Sequence, residues 1–140
     1  MRLTTRVRYG ARALVDIAQY SDRGPVPLRD IAGRQGLSQA YLEQLILTLK
    51  AAGLVRSVRG SRGGFVLAKD ATQVTMAQVV EVLGGELNIA DCVSCPESCK
   101  RAGQCAMRPV WEGVNRAIYD VLVGTTLADL VSRARKPGFD

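Results

Sequence analysis

The chain has 140 residues, 47% hydrophobic and 5% aromatic, with a formal net charge of +6 and no histidine. That is one domain's length with enough aliphatic material for a core, and the lack of histidine excludes Ser-His-Asp and Cys-His catalysis, histidine metal sites and imidazole pH switches. The longest run without a charged residue, Ala71 to Val80, is ten residues, about half of a membrane-spanning helix; with no apolar leader in Met1 to Arg6, a soluble cytoplasmic protein with no membrane partner is expected.

Charge is unevenly spread. Residues 1–70 hold 12 Lys+Arg against 5 Asp+Glu, a net of +7, whereas residues 71–140 hold 7 against 8, a net of −1. A basic half joined to a near-neutral half is the footprint of a polyanion-binding module with something attached; the alternative is a solvated surface. Ten of the twelve cations are arginine, whose planar fork suits phosphates and guanine edges.

Residues 4–21 read as a helix, with Val7, Ala11, Leu14, Val15 and Ala18 at helical spacing and Thr4 or Thr5 as cap. Asp22-Arg23-Gly24-Pro25 ends it. A second helix starts at Pro27 and runs to about Gln35. Gly36 supplies a position tolerant of positive φ, and Ser38 caps a third helix, Gln39 to Ala52, with Leu42, Leu45, Ile46 and Leu49 inward. Two short helices around Gly36-Leu37-Ser38 match a helix-turn-helix over residues 27–52. Its second helix would present Ser38, Gln39, Ala40, Tyr41, Glu43 and Gln44 to a major groove, where Gln pairs with adenine and Glu accepts from cytosine. A compact helical hairpin without that role is the bland alternative.

Two strand-like runs follow, Leu54 to Arg59 and Gly64 to Leu67, joined by the arginine-bearing tip Gly60-Ser61-Arg62-Gly63. A hairpin directly after a helix-turn-helix is the winged-helix arrangement, so residues 54–67 are expected to form a wing. Arg56, Arg59, Ser61 and Arg62 are its candidate DNA contacts, and Arg2 is a further phosphate contact. A fourth helix opens at Thr75 as a capping box with Gln78 and runs from Met76 to Leu83. The DNA-binding domain is expected to close near residue 84. The fold class is therefore mostly α with a small β-hairpin wing.

All four cysteines fall in residues 85–107, as Cys92-x2-Cys95-x3-Cys99-x5-Cys105. Clustered thiolates in a cytosolic chain bind iron–sulfur or zinc more readily than they form structural disulfides. One tight loop with a Cys-Pro step lies closer to a ferredoxin-type run than to paired zinc knuckles. An iron–sulfur cluster, 2Fe-2S or 4Fe-4S, on Cys92, Cys95, Cys99 and Cys105 is expected, with zinc or a thiol switch as alternatives. Backbone N–H groups are expected to point at the cluster sulfurs, and Lys100, Arg101 and Arg108 to offset its charge.

Residues 108–140 hold a helix from Arg108 to Val123, with Trp111, Val114, Ile118, Val121 and Leu122 on an apolar stripe, then a last helix from Thr126. A second copy of the chain is the natural cover for that stripe, which makes this the dimerisation region. Packing on the first helix is the alternative.

Taken together, Met1-Arg2-Leu3-Thr4 with Arg8-Tyr9, Pro25 to Ala32, Gln35 to Leu45, Ala52 to Gly60, Gly63-Gly64-Phe65, the cysteine loop and Pro109-Val110-Trp111 resemble the IscR/NsrR family of winged-helix transcription regulators over nearly the whole chain. The resemblance implies homodimers that bind palindromic double-stranded DNA operators, many with an iron–sulfur cluster near the dimer interface whose state alters DNA affinity. The family's usual C-x5-C-x5-C is met at Cys99 and Cys105, whereas Cys92 to Cys99 is one residue longer and Cys95 is extra. Arg108 stands where one branch has a ligating histidine, and Arg8 where another has an acidic ligand from the partner. Cys95 is therefore expected to complete an all-cysteine set. No enzyme is expected, since phosphate loop, nucleophile elbow and histidine are all missing. A small redox protein remains the contrasting reading, one that leaves the basic half without a use.

Overall fold

The computed structural model describes residues 3–138, so the expected contact at Arg2 lies outside the described residues. Helix α1 (Thr5–Tyr20) begins where the Thr4 hydroxyl accepts the Val7 N–H. Helix α2 (Leu28–Gln35) follows Pro27 as its cap and stops at Gly36, which takes the left-handed conformation (φ 65°) that a side chain would strain. Helix α3 (Gln39–Ala51) starts from Ser38, whose hydroxyl accepts the Tyr41 N–H at 3.2 Å. Strands β1 (Val55–Val58) and β2 (Gly64–Leu67) pair antiparallel, with Val55 opposite Leu67 and Val58 opposite Gly64. This is a winged helix-turn-helix, mostly helical with one hairpin.

The hairpin has a third partner that the sequence did not announce. Val26, just ahead of α2, exchanges two backbone hydrogen bonds of 2.9 Å with Phe65. The wing is thereby tied to the entry of the helix-turn-helix.

Helix α4 (Met76–Val82) is capped by Thr75, which accepts the Gln78 N–H at 3.3 Å. The reciprocal capping box is instead at Thr126 and Asp129, at the start of α7 (Leu127–Ala134). There each residue's side chain bonds the other's backbone N–H, at 2.8 and 3.2 Å. A carboxylate one atom shorter than the glutamine side chain still closes this ring, and its charge suits a helix N-terminus.

The core unites Leu14 and Ile17 of α1, Ile31 of α2, Leu42, Ile46 and Leu49 of α3, Leu54, Val74, Leu83 of the α4 end, and Leu127 of α7. Helix α7 packs along α1, and α6 (Arg108–Gly124) leans on α4 and on the short turn α5 (Asp91–Ser94). Of these two C-terminal helices it is α7 that packs more heavily on α1. No residue of α6 is fully buried, and Val110, Trp111, Val114, Tyr119, Val121 and Val123 are exposed. Among the described residues no helix is long and apolar enough to cross a membrane.

Candidate nucleic-acid interface and cysteine loop

The N-terminal half of α3 projects Ser38, Gln39, Ala40, Glu43 and Gln44 into solvent, with Tyr41 half-buried. Leu47 continues the same face one turn on and is 58% exposed; with Ala40 it offers apolar contact of the kind thymine methyls take. Arg56, Arg59, Ser61 and Arg62 are exposed along the wing and its tip. Lys50 Nζ donates to Ser57 Oγ at 2.9 Å, joining the end of α3 to β1.

Helix α1 adds residues to this surface. Arg6 donates to Thr48 Oγ1 on α3 at 2.7 Å. Tyr9 meets Tyr41 edge to face with ring centroids 6.3 Å apart, and Arg8 and Arg12 lie 5.9 and 5.5 Å from the Tyr9 ring centre. Arg6 and Arg8 therefore extend the basic surface beside α3. Helical periodicity marks them only as outward-facing on α1; the contact between Arg6 and Thr48 spans 42 positions of sequence.

Behind this surface Asp16, 2% exposed, receives Arg34 in bidentate fashion at 2.7 and 2.9 Å and Gln35 Nε2 at 2.9 Å. Gln35 in turn accepts from Arg12 Nε at 3.0 Å. The hydrogen bonds that Arg34 donates to Asp16 are the main cause that raises the Arg34 pKa above its ordinary value, and the Arg34 guanidinium lies 4.1 Å over the Tyr20 ring. The end of α2, directly ahead of the turn into α3, is thereby locked to α1.

The cysteine loop is more regular than its glycine and proline content leads one to expect. It holds the helical turn α5 and a 3-10 turn, Pro96–Ser98, segments too short for periodicity to register. Its backbone N–H groups serve these turns: Cys95 donates to Asp91, Ser98 to Cys95, Ala102 to Cys99 and Gln104 to Arg101. The acceptors are carbonyl oxygens of the loop itself. Cys92 is half-buried, Cys95, Cys99 and Cys105 are exposed, and all four are free thiols. By type and number they suit a soft metal centre. As the loop is folded, no three His, Cys, Asp or Glu side chains among the described residues are gathered as metal ligands.

Asn88 donates to Ser94 Oγ while its own Oδ1 is buried without a partner, so the polar groups beside the loop are not all satisfied in this arrangement. The loop is fastened to α6 at two points. Arg108 Nε donates to the Cys92 carbonyl at 3.2 Å while its other arm pairs with Glu112 at 3.1 Å, and Asn115 Oδ1 accepts the Ile89 N–H at 3.1 Å. Arg108 is thus a structural clamp at the foot of the loop.

A family model described as "Rrf2: Iron-dependent Transcriptional regulator" matches residues 3–133. The chain belongs to the Rrf2 family. The HTH-type transcriptional regulator IscR of Serratia proteamaculans is 40% identical over 132 residues, covering 94% of this chain and 80% of that one. Among solved structures, T. potens IscR matches this Rrf2 chain with a TM-score of 0.79 and 38% identity, covering 100% of this chain and 93% of that chain. CymR (YrzC), the global cysteine regulator of B. subtilis, matches with a TM-score of 0.82 and 34% identity, covering 95% and 98%. This Rrf2 protein is accordingly a DNA-binding transcription regulator and not an enzyme, and the winged-helix fold and the IscR-type resemblance read from its sequence both hold.

Proposed function

We propose that this Rrf2 regulator acts in the cytoplasm as a homodimer on a palindromic double-stranded operator, and that its cysteine loop adjusts operator binding to iron–sulfur, redox or nitric oxide status. One observation carries the DNA-binding geometry: the exposed half of α3 and the arginine-bearing wing tip stand on one framework, tied together through Val26 and Phe65. Base edges would be read by Ser38, Gln39, Ala40, Tyr41, Glu43 and Gln44. Arg56, Arg59, Ser61 and Arg62, with Arg6 and Arg8 on α1, would hold phosphate or minor groove. The DNA-binding domain would span residues 1–84, the loop 85–107 and the dimerisation segment 108–140.

An iron–sulfur cluster would be held by Cys92, Cys95, Cys99 and Cys105. When bound it would supply a centre sensitive to oxidants and to nitric oxide. The chain's own part is mechanical. Arg108 and Asn115 couple the loop to α6, so a change in loop shape reaches the helix offered to the partner. A thiol switch on the same cysteines is the second reading. It is favoured by three exposed free thiols and by the likeness to a cysteine regulator.

The test is an absorption spectrum with iron, sulfide and zinc analysis on protein purified without oxygen. Visible absorption with iron and sulfide in cluster proportions supports the cluster. One zinc per chain supports a structural metal, and no metal supports the thiol switch. On an operator selected from random duplexes, Arg59→Ala is expected to weaken binding on all sequences and lower the salt slope by about 1. Gln39→Ala is expected to lose about 1–3 kcal/mol of discrimination at a single base pair. If both variants bind as wild type does, the docking geometry is wrong.

A further inference from the structure

A pocket of about 450 Å³ lies between α1, the end of α2 and α7. That volume lies within the range of small-molecule sites. Its floor is apolar, made by Ala11 and Val15 of α1 and Leu130 and Ala134 of α7, and its charged lining is Arg12, Arg133 and Asp16. The Asp16 carboxylate is already neutralised by Arg34 and capped by Gln35. Arg12 and Arg133 therefore set the sign of the pocket.

Arg12 is pre-oriented by Gln35, to whose side chain and backbone carbonyls it donates at 3.0 and 3.2 Å, and by the Tyr9 ring. These bonds use two of its five N–H groups and leave three for a ligand. Arg133 forms no ion pair among the described residues. Two guanidinium groups over an aliphatic floor are complementary to an anionic head on a compact apolar body.

We propose that this pocket binds a small organic monoanion, a carboxylate on an aromatic ring or short alkyl chain. The anion would share Arg12 with Gln35, and so act on the tie between α1 and the residue preceding the turn into α3. Occupancy is then expected to lower operator affinity, a consequence that rests on the DNA-binding reading above. Linkage requires the converse, that operator DNA weakens anion binding by the same factor.

The probe is benzoate, with octanoate as the alkyl case and benzamide as the neutral isostere, titrated into the full-length protein and followed by amide chemical shifts. Saturable shifts centred on residues 11–19, 35 and 130–134 are expected with the anions, at least tenfold weaker with benzamide. Arg133→Glu, an exposed change that leaves the core untouched, is expected to weaken benzoate at least tenfold, while Arg116→Glu on α6 leaves it unchanged. Absence of saturable shifts with either anion, or shifts centred on α6, would overturn the site. Saturable binding with unchanged operator affinity would overturn the effect on DNA alone. If the protein has no operator at all, the DNA-binding reading fails while the shift experiment still decides the pocket.

Discussion

Among the described residues Asp16 is the one charged side chain that the fold buries. A carboxylate taken out of water costs several kcal/mol unless its oxygens are satisfied, and here three N–H groups from Arg34 and Gln35 fill them. Removing the carboxylate strands all three donors, on two side chains, at once. Loss of one partner of a buried pair typically costs about 3–5 kcal/mol, but the Arg34 side chain is 35% exposed and recovers some hydration. We expect Asp16→Ala to lower unfolding stability by about 2–3 kcal/mol, measured by urea denaturation of the apo protein under reducing conditions. A loss below about 1 kcal/mol would mean that the pair behaves as a surface salt bridge. Combining it with Arg34→Ala should cost less than the sum of the two single changes, because the second removes a partner already orphaned.

At the scale of elements the wing is the informative case. Gly64 has no unusual backbone angle, yet a Cβ there would lie 2.4 Å from the Val26 carbonyl oxygen and 2.5 Å from its carbon. Those are backbone atoms in the bridge that ties hairpin to helix-turn-helix, so they cannot step aside as a side-chain tip would. Gly64→Ala is expected to cost about 1–3 kcal/mol and to weaken operator binding more than its stability loss explains, because the wing tip moves relative to α3. A hydrogen-exchange comparison checks it: protection of the Phe65 amide should fall while that of Leu42 in α3 holds.

This bridge also marks what the sequence could and could not reveal. Helix starts at Thr4, Ser38, Thr75 and Thr126 were legible because a cap is a bond between residues three apart. The turn at Gly36 was legible because positive φ leaves a glycine signature. Val26 with Phe65, Arg6 with Thr48, and Asp16 with Arg34 were not, because each joins residues distant in the chain and neither partner has a local pattern. The two turns of the cysteine loop escaped for the opposite reason, being shorter than a single hydrophobic period.

On the scale of the whole molecule, the question is what α6 is for. Seventeen residues long, it has no fully buried side chain, and Val110, Val114 and Val121 lie along one stripe at four- and seven-residue spacing. Leu3 and Val114, Ala117, Ile118, Val121 and Leu122 line a groove there whose walls are apolar throughout. A monomer that kept this stripe in water would forgo about 25 cal/mol for every Å² it could bury, and a two-fold copy supplies a matching surface. Val121 is 66% exposed, so a charge there leaves the monomer fold intact but is trapped in the proposed interface. Val121→Asp is expected to sediment at the mass of one 15.1 kDa chain, with an unchanged far-ultraviolet dichroism spectrum, where the unaltered protein sediments at twice that mass. Its operator affinity should fall by at least about 10²-fold, because each half-site must then be bound without the effective concentration that linkage to the other supplies. An unaltered protein that sediments as a monomer, or a variant that stays dimeric, would place the interface elsewhere and would cut the proposed route from the cysteine loop through Arg108 to the DNA.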